Sequence, residues 1–109
     1  MDDASELTLA RERLDAIVAE RIDDPRIDQG PMFSTTGWRT RGKVFAFVGR
    51  SAELILKLPG QRIVELVASG DGAPMTLGIR TIREGAHIAA DVDWGPLVIE
   101  AHAFVTAES

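Results

Sequence analysis

The chain has 109 residues, of which 45% are apolar and 27% charged, enough apolar material for one cored domain and too little length for two. It has no cysteine, which excludes disulfides, thiolate metal sites and thiol nucleophiles. The net charge of −5 conceals a segregation: residues 1–28 carry −5, residues 37–62 carry +5 and residues 63–109 carry −5. No apolar run approaches the roughly 20 residues that cross a bilayer, and the acidic start Met1-Asp2-Asp3 is unlike a signal peptide. A cytoplasmic protein with no membrane partner is the expectation.

The first predicted element is a helix from about Ser5 to Ile22, because Leu7, Ala10, Leu14, Ile17 and Val18 form one stripe. Ser5 is its expected N-cap, and Asp23-Asp24-Pro25 ends it. Arg26 to Pro31 reads as a connector. A short strand follows at Met32 to Thr35, then a turn at Thr36-Gly37 leading into Trp38 to Thr40, and a second turn at Arg41-Gly42. Lys43 to Val48 is nearly all apolar, as in a covered strand. After a turn at Gly49-Arg50-Ser51, Ala52 to Leu58 alternates, with Leu54, Leu56 and Leu58 on one face. Pro59 opens a second helix that stops at Ser69-Gly70. Gly70 to Pro74 reads as a loop, followed by strands near Thr81 to Glu84 and His87 to Asp91 with a turn at Gly85. Asp93 caps a last helix from Trp94 to about Thr106, whose stripe is Trp94, Leu97, Val98, Ala101, Phe104 and Val105.

The order defines an α+β class: a single two-layer α-β(3)-α-β(2)-α domain over residues 1–109, with a largely antiparallel sheet and helices on one face.

The chemistry of the residues points away from catalysis. His87 and His102 are fifteen residues apart and have no companion at metal-type spacing, so no metal site is expected. No glycine run has the form of a phosphate loop, and no cofactor is implied. Asp91 and Asp93 flank Val92, where helix capping is a simpler role for Asp93 than acid–base work. A pocket lined by Phe45, Phe47, Trp94 and Phe104 competes with the simpler reading of these rings as core. The domain is expected to be non-enzymatic.

The basic middle segment carries the functional content. Arg39, Arg41 and Lys43 alternate, so on a β-ribbon they project from the same side, with Trp38 and Arg50 nearby. That arrangement suits contact with successive nucleic-acid phosphates, with little base readout. The competing reading is a solvated strand edge, or a patch paired with the acidic first helix of its own or a second copy. The acidic total opposes long-range attraction to a polyanion.

Taken together, Pro31-Met32-Phe33, Gly42-Lys43-Val44-Phe45-Ala46, Leu56-Lys57-Leu58-Pro59, Arg62 to Leu66, Arg80 to Glu84 and the helix from Trp94 to Val105 resemble the MmcQ/YjbR family. A more distant similarity is to the amino-terminal domain of the TfoX family. The resemblance spans about Leu7 to Val105 and implies a small two-layer domain labelled DNA-binding, with no catalytic motif to transfer. The chain has Gly85 where the family usually has a tryptophan after Arg83-Glu84. Two functions follow: a DNA-binding module acting through Arg39, Arg41, Lys43 and Arg50, or a protein-interaction or homo-oligomerising domain.

Overall fold

The computed structural model describes residues 3–32, 35–77 and 80–108. Three helices and six strands follow in the order α1 (Asp3–Arg21), β1 (Ile27–Met32), β2 (Thr35–Thr40), β3 (Lys43–Val48), β4 (Leu54–Lys57), α2 (Gly60–Ser69), β5 (Gly72–Leu77), β6 (Arg80–Ile88) and α3 (Trp94–Glu108). The strands form one sheet in the order β1-β2-β3-β4-β6-β5, and every neighbouring pair is antiparallel. The α+β class holds, but four strands precede α2 where three were expected.

The two elements read as loops are both edge strands. Residues 26–31 hold most of β1, and residues 70–74 hold the start of β5. Each carries a glycine and a proline, Gly30-Pro31 and Gly72-Pro74, which a central strand excludes but an edge tolerates because one row of N–H groups needs no partner. Proline also blunts both edges against pairing with other chains. The expected turn at Thr36-Gly37 is instead the middle of β2, and β6 runs unbroken through Gly85. Phe33 and Ser34, within the expected strand Met32 to Thr35, lie outside the described residues. Ser5 is not the cap of α1, which begins at Asp3.

The helices cover one face. Ala10, Leu14 and Val18 of α1, Ile63 and Leu66 of α2, and Trp94, Leu97, Val98, Ala101 and Val105 of α3 share a core with Leu54, Leu56, Leu58, Ala86 and Ile88 of the sheet region. Arg13 ties α1 to the segment before α3: its guanidinium carbon lies 3.8 Å from the centroid of Trp94, and its Nη atoms donate to the carbonyls of Ala90 (2.8 Å) and Val92 (2.7 Å). Asp93 accepts the backbone N–H of Gly95 at 3.2 Å, the expected cap of α3.

On the opposite face Phe47, Ile55 and Met75 form a second apolar cluster with Val44 at its margin. The unbroken apolar run of β3 therefore serves two layers. A register shift between Trp38 and Arg39 leaves Trp38 opposite Ala46 and Arg39 opposite Val44, so both Phe45 and Ala46 reach the helix-side core. Phe45 and Trp94 are buried on the helix side, whereas Phe47 faces away from them. The four rings therefore do not line one pocket.

Candidate functional site

The basic segment is split by its own hairpin. Arg41 and Gly42 are the two central residues of the β2–β3 turn, with φ of 52° and 81°. Two such residues in succession suit a tight antiparallel hairpin, and glycine accepts the second position without strain. Arg39 and Lys43 consequently sit on different strands.

They also face different ways. Trp38 and Thr40 point to the helix side, so Arg39 between them points to the other. There it meets Asp28, its register partner on β1, through Nε to Oδ1 at 3.0 Å and Nη2 to Oδ2 at 2.8 Å. The paired charges raise the pKa of Arg39 and lower that of Asp28, chiefly through these hydrogen bonds. The guanidinium lies across Gly30, where an added Cβ would collide with its central carbon. Gly30 thus makes room for the clasp. Lys43 turns to the helix side, its Nζ 3.4 Å from the backbone carbonyl of Glu108.

Arg50 lies beyond the far end of β3 in the next turn and has a contact of its own. The five steps from Lys43 to Val48 alone span about 17 Å of strand. The structure therefore turns Arg39 and Lys43 to opposite sides of the sheet, which corrects the expected one-sided alternation of Arg39, Arg41 and Lys43, and places Arg50 a strand length away. Arg41 stands exposed at the turn.

Other cations are similarly engaged. Arg62 bonds Glu100 (2.9 and 3.2 Å) and Glu65 (3.1 Å), Arg26 bonds Asp24 (2.9 Å), and Lys57 approaches Glu108 (3.7 Å). By contrast Glu6, Glu12 and Glu20 of α1 and Asp23 just beyond it are exposed, and no ion pair joins them to the described residues. Among the described residues, α1 thus carries exposed carboxylates that no ion pair engages, interleaved with Arg11, Arg13 and Arg21.

Asp24 was unremarked in the sequence beyond its place at the end of α1, yet it anchors the largest buried polar cluster described. Its side chain is 3% exposed. Oδ2 accepts from the Thr40 hydroxyl (2.7 Å) and bonds His102 Nε2 (2.9 Å), while Oδ1 accepts the backbone N–H and the Nε–H of Arg26 (both 2.9 Å). These bonds, the backbone N–H of Arg26 foremost, hold the carboxyl far below its usual range. His102, expected to be half exposed, is 18% exposed at the side chain, with its ring edge-on to Phe45. The cluster ties the segment after α1 to the end of β2 and to α3, a structural role for His102. His87 lies 3.8 Å from Glu53. Among the described residues no group of three metal-ligating side chains gathers.

A cleft of about 170 Å³ opens where α1 stops short of the β1 edge. Gln29 of β1, Thr36 and Trp38 of β2, and Val48 of β3 form its floor, and Arg11, Leu14 and Asp15 of α1 form its wall. Trp38 Nε1 donates to Asp15 Oδ1 (2.9 Å), and Arg11 Nη2 donates to Thr35 Oγ1 (3.0 Å). The indole is half-buried and closes the core edge.

No protein-family model, curated protein or solved structure matches this chain. Among the described residues no helix is long and apolar enough to cross a membrane.

Proposed function

We propose that this chain is a small, non-enzymatic protein-interaction module of the MmcQ/YjbR type, and that its partner is a cationic protein segment rather than a nucleic acid. The observation that carries this reading is the clasp between Arg39 and Asp28, with Lys43 turned to the opposite side of the sheet. A phosphate approaching Arg39 meets a guanidinium whose charge is already matched by a carboxylate bonded through two N–H groups. The exposed carboxylates of α1 have no such internal partner among the described residues, and they favour a positively charged docking segment.

Fluorescence anisotropy with a labelled twelve-residue peptide of alternating lysine and alanine tests the reading, with and without added salt. Saturable binding that weakens with salt and is lost in the Glu12→Lys, Glu20→Lys variant supports it. Equal binding by that variant, or no binding at low salt, overturns it.

A further inference from the structure

We infer that the cleft between α1 and the β1–β2 edge is a binding site for a small zwitterion, a free α-amino acid. Arg11 and Asp15 are one helical turn apart on α1, a spacing at which opposite charges ordinarily pair with each other. Among the described residues no ion pair joins them. Each is turned instead toward β2, Arg11 to the hydroxyl of Thr35 and Asp15 to the indole N–H of Trp38.

These bonds use one N–H of a guanidinium that has five and one oxygen of a carboxylate that has two. A fixed cation and a fixed anion thus stand at one wall of the same cleft with donor and acceptor capacity left over. The floor between them is neutral: Gln29 and Thr36 supply an amide and a hydroxyl, and Leu14, Trp38 and Val48 supply apolar surface. A lone anion is opposed by Asp15 and a lone cation by Arg11. A molecule carrying both a carboxylate and an ammonium satisfies both.

Size restricts the class further. The cleft volume of about 170 Å³ admits a single free amino acid and nothing much larger. So few atoms support only weak binding, with Kd of about 1 mM.

The indole N–H of Trp38 is a built-in reporter, because it bonds the carboxylate that the ligand engages. The other tryptophan, Trp94, donates to the Ala89 carbonyl (3.1 Å) and serves as a reference for the intact fold. In a ¹⁵N–¹H titration of the full chain, alanine is expected to shift the Trp38 signal saturably while Trp94 stays in place. Acetate alone and methylammonium alone produce no saturable shift. Arg11→Gln, a substitution at an exposed helix position, weakens alanine binding about tenfold, the worth of one charge-assisted contact. The proposal is overturned by the absence of a saturable shift up to about 20 mM alanine, some twenty times the expected constant. An equal response to acetate, or unchanged affinity in Arg11→Gln, overturns it as well.

Discussion

Arg39 and Asp28 stand directly opposite each other on neighbouring antiparallel strands, and the guanidinium closes on the carboxylate through bonds of 3.0 and 2.8 Å. The pair matches the charge of Arg39 on the sheet face while leaving its side chain 29% exposed. Asp28→Asn takes away the negative charge and leaves Arg39 extended over Gly30. The variant is expected to bind duplex DNA at low salt more tightly than the unmodified chain, by an amount that added salt erases. Anisotropy of a labelled duplex reads the difference.

The Asp24 cluster makes the fold acid-sensitive in a defined window. Its carboxyl titrates far below the usual value in the folded chain and near 3.9 when unfolded, so below about pH 4 the unfolded state binds the additional proton. Stability from this group is complete above that value and is lost as pH falls toward the folded pKa. The melting temperature therefore drops on acidification below about pH 4. Asp24→Asn lowers the melting temperature at pH 7 and flattens this dependence, which thermal unfolding across about pH 2–6 measures.

Arg13 joins α1 to the segment before α3 by a stacking contact with Trp94 and two hydrogen bonds to carbonyls. Arg13→Met keeps much of the apolar stem but removes the charge and the donors. A loss of about 1–3 kcal/mol in denaturant unfolding is expected.

Two glycines separate conformational from steric roles. At Gly72 an added Cβ would lie 2.9 Å from the backbone oxygen of His87, which cannot swing aside, so Gly72→Ala destabilises by about 1–3 kcal/mol. Gly60 opens α2 with nothing within 4 Å of such a Cβ, so Gly60→Ala stabilises by about 0.4–1 kcal/mol. Urea midpoints of the two variants shift in opposite directions.

Elements with strong internal periodicity were legible in the sequence. The stripes of α1 and α3 match the buried residues, and the proline and glycine that bound α2 stand where expected, with Gly70 at φ 82°. Both missed strands, β1 and β5, are edges whose glycine and proline imitate loop composition. Missing β1 had a consequence for function: Asp28 seemed to belong to a connector, so its place opposite Arg39 was invisible. The alternation of Arg39, Arg41 and Lys43 was real, but a hairpin turn inside it reverses the chain. Asp24 offered no local signal because its partners Thr40 and His102 are distant in sequence.

Arg39, clasped by Asp28, and Lys43 are turned to opposite sides of the sheet, and this division removes a one-sided cationic surface. Affinity for a labelled DNA duplex at low salt, with the full unmodified chain, tests it most directly. No saturable binding at micromolar protein is expected. Saturable binding that falls steeply with salt and is abolished in the Arg39→Glu, Arg41→Glu variant would contradict it.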